Sequence, residues 1–462
     1  MNFPLSDSPD AAAHAGVFQR PLTALIGFSL LLLVFTSVWD TAGFTENRRK
    51  QLLEKKSGVE HVLYVAGDAL LQHKAEGILV LAFGAGLFVW LRHSREAGSP
   101  LTIDLLIRRQ IWLILLGVVN AFLFMYSDDL LFFLGCAGIL LFPFAALKPR
   151  QLLVLAGLFC LFLAGKMYWD YADKITAFKK YQAVMAIEKK WPKEKKDRSA
   201  ADTLTTEQQD DKSAWEGIAK QEKYNKEGDD EKKTAVQEVS FRKNYETLLP
   251  GNQQKQSRYF YAKGVWSYGS LILLGMGLYG AGFFQQSFRR STYGWIFLSA
   301  FIAGIFFAWW RLHQQQAAIT DFEKYIGLRP LPYGFFFPVE QLCLVMAYTA
   351  GWYWLWGGAV FRKAAAVFVY AGRMPLTIYL LYCLLASVFF NGFAMGYYGR
   401  LQLWQVELFA AECGLVLLGF SVAWFRFYQK GPLEWLLEYA VTGSRPATKN
   451  AATSYTNQTD FV

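Results

Sequence analysis

Apolar runs long enough to cross a lipid bilayer recur along this chain, separated by short basic loops, and they limit its fold more than any other feature. A hydrocarbon slab of about 30 Å is crossed by about 20 helical residues rising about 1.5 Å each. Inside it every backbone N–H must be satisfied within its own segment, which selects helices. Ten runs fit: 22–38, 76–91, 110–126, 129–147, 151–169, 264–285, 292–311, 335–358, 364–389 and 403–427. A β-barrel would show alternating segments of about ten residues, and the sequence has none. Composition agrees: 54% of residues are hydrophobic and only 18% charged, against about 25% charged in a soluble chain. The expected fold is an all-α, polytopic transmembrane bundle of about ten spans. The first run follows polar and small residues, has Arg20 at its edge and lacks a small-residue cleavage site, so it reads as a span and not a removable signal.

Short basic loops set orientation. With a cytoplasmic N-terminus, the inner loops hold Arg92, Arg95, Arg108 and Arg109, then Lys148 and Arg150, Arg289 and Arg290, Arg362 and Lys363, and finally Arg426 and Lys430. The acidic "YSDD" at 126–129 falls outside. Two outer segments run against the rule, "ENRRKQLLEKK" at 46–56 and the stretch with Lys324 and Arg329. Both termini are expected in the cytoplasm of a bacterium, with the chain in its inner membrane. The net charge of +10 is then mostly a topology signal with some attraction to anionic lipid heads. Nothing resembles a nucleic-acid footprint.

Five domains are expected: a tail over 1–21, a membrane half over 22–169, a charged extracytoplasmic insert over 170–262, a second membrane half over 263–428, and an interfacial helix with a tail over 429–462. In the insert, Ile175, Phe178, Tyr181, Val184 and Ile187 continue a helical stripe beyond the fifth span. Lys, Glu, Asp and Gln dominate thereafter, which reads as a solvated, partly disordered stretch lacking an independent core. A second helix is expected to lead into the sixth span. A protein partner for 190–250 is the alternative to a linker.

The five cysteines, Cys136, Cys160, Cys343, Cys383 and Cys413, all fall in spans without paired spacing and read as small apolar side chains. The histidines (His14, His61, His73, His93 and His313) lack ligand spacing, so neither a metal nor a cofactor is implied.

Polar groups within spans are functional candidates because burying them there is costly. Glu412 is the deepest acid, with Glu407 five residues before it; Glu340 and Gln341 open the eighth span; Asn120 lies midway in the third; Asp128 and Asp129 occupy the following turn. The alternative to a functional role puts Glu407 and Glu340 at the interface and leaves Glu412 protonated or paired with an arginine inside the bundle. Gly84 and Gly86 in "FGAGLF" permit close helix approach. After Gly431-Pro432 a short helix begins whose Leu433, Trp435, Leu436 and Tyr439 suit the membrane interface, with Glu434 at its positive end. In "GRMPLT", Pro375 starts a span where its missing N–H is harmless, and Arg373 snorkels to the surface.

"GRMPLTIYLLYCLL" at 372–385, followed by "WFRFYQKGPLEWLLEY" at 424–439, resembles the C-terminal signature of the YeiB-like bacterial inner-membrane proteins, domain of unknown function 418. "FGAGLF" and "RRQIWLILLGVVNAFLFMYSDDLLFFLGCAGILL" resemble the family's N-terminal half, and the charged insert lies outside the resemblance. The family is grouped with membrane acyltransferases that carry acyl groups across a bilayer to sugars. The resemblance therefore implies acyltransferase-like chemistry on an envelope sugar or lipid, among membrane lipids. Arg108, Arg109, Asp128, Arg373, Thr377, Tyr379, Gly431 and Glu434 match the pattern. The implied catalytic candidates are Asp128 and Arg373; the substrate-binding ones are Asn120, Arg109, Thr377, Tyr379, Glu412 and Glu434. Departures are pointed: Thr23 and Ile26 stand where relatives carry an acid and an arginine, Asn120 replaces a histidine, and Ile378 an asparagine. A general base needs a titratable group within reach of its proton, and that degenerate N-terminal motif supplies none.

Three readings follow. An acyltransferase-like protein predicts Asp128 and Arg373 lining one cavity. A transporter or permeation protein predicts Glu412 and Asn120 facing a polar pathway. A noncatalytic scaffold predicts no polar cavity and a role resting on the insert.

Overall fold

The computed structural model describes residues 9–55, 57–96, 101–126, 128–191, 203–328 and 331–443, with side chains left aside at 9–19 and 93–102. Among the described residues every regular element is helical. The N-terminal half comprises α1 (Pro9–Thr41), α2 (Glu46–Glu54), α3 (Val59–Leu70), α4 (Lys74–Glu96), α5 (Leu101–Phe122), α6 (Leu131–Leu141) and α7 (Pro149–Glu188). Three polar helices follow, α8 (Thr206–Glu222), α9 (Lys226–Gln237) and α10 (Phe241–Gln254). A π-helical stretch, Lys255–Gly264, leads into α11 (Val265–Gly280), α12 (Arg290–Thr320), α13 (Phe322–Leu328) and α14 (Phe337–Trp356). The chain continues through α15 (Ala359–Ala365), α16 (Phe368–Gly372), α17 (Pro375–Phe390), α18 (Leu403–Phe427) and α19 (Pro432–Thr442).

Each of the ten apolar runs lies largely on these helices. Six stretches are long and apolar enough to cross a membrane: 20–41, 59–92, 103–122, 149–188, 290–320 and 403–427. The others fall short for physical reasons. α11 and α17 have 16 residues each, and α14 is diluted by Tyr, Trp, Glu340 and Gln341. α1 is central, touching α3, α4, α14, α16, α17 and α18, while α11 contacts both α4 and α7, and α12 packs along α14. Glycines set the closest approaches. A Cβ on Gly84 would strike the backbone of Ile272, and one on Gly275 the carbonyl of Leu81, so α4 and α11 cross backbone to backbone. Gly27 and Gly372 do the same for α1 and α16, which gives the glycine of "GRMPLT" its reason.

The basic loops gather at one end of the bundle. There Pro149 lies against Gly280, Arg290 Nε donates to the Trp354 carbonyl (3.0 Å), Trp352 Nε1 donates to the Pro21 carbonyl (2.9 Å), and Arg373 donates to the Gln429 carbonyl (3.1 Å). The opposite end carries α2, α8–α10 and the loop 391–402.

The insert departs from the linker expectation over 203–262. α7 does continue as one 40-residue helix, about 60 Å long, twice the hydrocarbon thickness. Its projecting half packs Tyr171 and Phe178 with Trp215 of α8 and with Phe322, Tyr325 and Ile326 of α13, a small separate core. α9 and α10 then dock onto the bundle: the Gly392 N–H donates to the Val236 carbonyl (3.0 Å) and Asn252 Nδ2 to the Ala121 carbonyl (2.6 Å). Few apolar residues suffice because the membrane domain supplies the other side of the interface. Residues 192–202, inside the expected partner segment, lie outside the described residues.

Candidate active site

The site forms where one long apolar stretch breaks. α3 and α4 are separated by Leu71–His73, in the sequence "ALLQHKAEG", and His73 adopts a left-handed backbone (φ 63°). A non-glycine residue there is uncommon, and such strain persists only where neighbours over-determine it. Side chains of the adjoining α14, together with Lys74 of α4, bond to the backbone carbonyls around the break. Gln341 Nε2 donates to the His73 carbonyl (3.0 Å) and the Tyr348 hydroxyl to that of Leu70 (2.7 Å), while Lys74 Nζ donates to the Asp68 carbonyl (2.9 Å). Irregular backbone at this depth is tolerated only when satisfied in this way.

A buried clamp of four charges fixes both ends of the break. Lys74 Nζ lies 2.8 Å from Glu340 Oε1. Arg311 of α12 bonds both Glu340 oxygens (Nε–Oε2 2.6 Å, Nη2–Oε1 3.1 Å) and pairs with Asp68. Two cations face two anions, all with side chains under one-tenth exposed. Glu340 is therefore a core residue, against the alternative of an interfacial acid: a carboxylate this deep needs cations, and α4 and α12 supply them.

Beside the clamp, charged groups line a recess that water reaches. Lys255 Nζ sits between Asp40 Oδ2 (3.2 Å) and Asp128 Oδ1 (3.6 Å), and Arg49 pairs with Asp40. Gln72 lies between clamp and recess; with its amide turned so that the nitrogen faces Asp68 Oδ1 and the oxygen faces Arg49, it donates to the first (2.6 Å) and accepts from the second. The Lys255, Asp128 and His73 side chains keep 36%, 39% and 39% of their exposure although they lie between helices. Burial first of all, then Glu76 and Asp40, push the Asp128 carboxyl above its ordinary range, with Lys255 and His73 pulling it down. Burial works against the Lys255 ammonium, but Asp40 and Asp128 outweigh it and hold the group above its ordinary value.

His73 and Glu76 form the base-like pair of this recess. His73 Nδ1 lies 3.3 Å from Glu76 Oε2, and Glu76 Oε1 accepts from the Tyr268 hydroxyl. A carboxylate that anchors one imidazole nitrogen leaves the other to accept a proton, the division of labour in carboxylate–histidine catalysis. His73 also meets the Phe337 ring edge-on (5.5 Å), which fixes its plane.

The residues expected from sequence divide between this recess and structural tasks. Asp128 belongs to the recess. Arg373 does not: it stacks on Phe425 (4.6 Å) and bonds the Gln429 carbonyl at the basic end, tying the start of α17 to the end of α18. The expectation that Asp128 and Arg373 line one cavity is thus corrected; among the described residues they share no partner. Glu434 caps α17 as well as opening its own helix. Its Oε1 accepts from the Leu376 and Thr377 N–H groups (2.7 and 3.1 Å) and its Oε2 from the Thr377 hydroxyl (2.5 Å). Those bonds occupy Thr377 and Glu434 with each other. Arg109, packed on Trp90 (5.7 Å), lies within electrostatic reach of Glu434 and Glu438. Tyr379 braces the turn, accepting from the Leu130 N–H (2.7 Å) and donating to the Asp128 carbonyl (3.2 Å). Asn120 donates to Asp129 Oδ1 (2.8 Å), whose Oδ2 caps α6 through the Phe132 N–H (2.8 Å). Glu407 accepts from Trp39 Nε1 (2.8 Å), but Glu412 is exposed on the outward face of α18, opposite to the inward position expected.

Sequence reasoning missed His73, Glu76, Tyr268, Lys255, Asp40, Asp68, Lys74 and Arg311. The one signal was local: "QHKAE" at 72–76 places four ionisable or polar side chains against the mouth of an apolar run.

Comparisons with known proteins agree with the resemblance. Residues 278–444 match the model of a protein family of unknown function, DUF418. The chain is 24% identical to the uncharacterized protein YxaH of Bacillus subtilis over 378 residues, 81% of each chain. It is 30% identical to the uncharacterized protein YeiB of Escherichia coli over 91 residues, 20% of this chain and 23% of YeiB. No solved structure matches it significantly. The C-terminal part of the chain, residues 278–444, thus matches the DUF418 family model, and the chain is similar to two uncharacterized proteins, YxaH and YeiB.

Proposed function

We propose that this is an inner-membrane enzyme of about ten spans that transfers an acyl group to a hydroxyl of an envelope sugar or lipid. Its recess opens on the extracytoplasmic side, beneath the insert, and both termini lie in the cytoplasm. The reading is carried by one observation: the His73–Glu76 pair stands in the same recess as Lys255 and Asp128. His73 Nε2 takes the proton of the acceptor hydroxyl as that oxygen attacks the carbonyl carbon of an activated acyl ester. The Lys255 ammonium faces the charge that builds on the carbonyl oxygen. As the ester bond breaks, His73 returns the proton to the departing oxygen or sulfur. Asp128 accepts a hydrogen bond from a second hydroxyl of the acceptor. His73 thus provides a base that the matching N-terminal positions, Thr23, Ile26 and Asn120, do not.

A permeation role draws less support, since Glu412 faces outward and Asn120 is occupied by Asp129. The basic loops at one end of the bundle support the orientation. The test compares acyl content of envelope glycans and lipids in cells with the gene, without it, and with Asp128→Asn. The proposal expects an acylated species that vanishes with the gene and falls in the variant. Identical acyl profiles with and without the gene would overturn it.

A further inference from the structure

The outward face of α18 carries a carboxylate that nothing among the described residues satisfies. Glu412 is the tenth residue of the helix, about 13 Å below its start, and so well inside a hydrocarbon layer whose outer edge Trp404 marks. It is exposed and has no hydrogen bond or ion pair among the described residues. Glu407, on another face of the same helix, is bonded to Trp39, so the helix has an inward way to satisfy an acid that Glu412 does not use. Trp404, Leu408, Leu415 and Val416 flank Glu412 on the exposed side, 47–70% open. Gly419 and Ala423 continue that stripe, one and two turns beyond Leu415, and a Cβ at Gly419 would meet open space.

We propose that a second copy of this chain docks on this face, the two α18 helices crossing at Gly419 and Ala423 with the Glu412 carboxyls hydrogen-bonded to each other across a two-fold axis. Three features favour a second copy over another occupant. Copies inserted in one membrane share orientation and depth, so a two-fold axis along the membrane normal brings Glu412 to Glu412 without any register search. One proton shared between the two carboxyls removes a charge and satisfies both groups, which lipid cannot do. A small residue, three intervening residues and another small residue, as in Gly419–Ala423, let two helix backbones approach closely where side chains would hold them apart. By contrast α12 exposes Trp295, Ile302, Phe306 and Trp309, a face that lipid chains cover without cost.

The experiment uses the full chain in its native membrane. Leu415→Cys and Gly419→Cys are oxidised with a copper catalyst beside Ile302→Cys on α12, with the parent protein as background. The proposal expects disulfide-linked dimers at 415 and 419 and background levels at 302. In lipid nanodiscs, Glu412→Leu should lower the dimer fraction roughly tenfold, and Glu412→Gln, whose amides also pair, should retain most of it. Equal cross-linking at 302, an unchanged dimer fraction in Glu412→Leu, or capture of a different protein at 415 and 419 would each overturn the proposal.

Discussion

Replacing Arg311 by methionine tests whether the buried clamp holds the break in place. Arg311 makes two bonds to Glu340 and one to Asp68, and only Lys74 would then remain to balance two carboxylates. The cluster passes from neutral to one net negative charge at sites with side chains under one-tenth exposed. Removing one partner of such a buried set costs about 3–5 kcal/mol, because the group left behind stays desolvated and unpaired. Adding Asp68→Asn restores neutrality, leaving Lys74 with Glu340, and should recover about half of that loss. The assay is thermal unfolding of the purified protein in one detergent, read by tryptophan fluorescence. The single variant should melt several degrees below the parent and the double variant between the two. A single variant as stable as the parent, or a double variant less stable than the single, would refute the charge-balance reasoning.

Other expectations follow from separate contacts. Glu434→Gln leaves the Leu376 and Thr377 N–H groups with a weaker acceptor and should cost about 1–2 kcal/mol, read as a lower melting temperature that Thr377→Val does not lower much further. Gly275→Leu should abolish folded protein, measured as loss of the monodisperse peak on size exclusion, because its side chain meets the Leu81 carbonyl. The raised pKa of Asp128 fixes a pH dependence. A carboxyl that holds its proton more tightly when folded adds stability that fades as pH rises from its unfolded value, about 4. Asp128→Asn should therefore gain stability relative to the parent at pH 7 and lose that advantage below about pH 4. A gain that grows on acidification would contradict it.

The membrane fold was largely legible because its signal is a one-dimensional pattern: apolar runs matched to a slab thickness. "GRMPLT" and "GPLEW" were recognisable as motifs, yet their bond is a contact between residues some 57 positions apart, Thr377 with Glu434. The same limit hid the recess. Asp40, Lys255, Asp128 and Glu76 come from α1, the π-helical stretch, a turn and α4, and nothing local joins them. "ENRRKQ" at 46–51 breaks the positive-inside pattern for a reason only the fold supplies: Arg49 pairs with Asp40, and Lys50 bonds the Gln221 carbonyl. Glu412 failed the opposite way. Its depth was readable, but the sequence does not say which face of α18 turns to the bundle.

The most direct test of the account concerns the imidazole at the helix break. Cells lacking the gene are complemented with the parent chain, with His73→Gln or with Glu76→Gln, and the acyl groups of their envelope glycans and lipids are measured by mass spectrometry at matched protein levels. The account predicts that the parent restores the missing acylated species, that His73→Gln restores essentially none, and that Glu76→Gln restores part, since the ring loses its anchor but keeps its nitrogen. Full restoration by His73→Gln would contradict it.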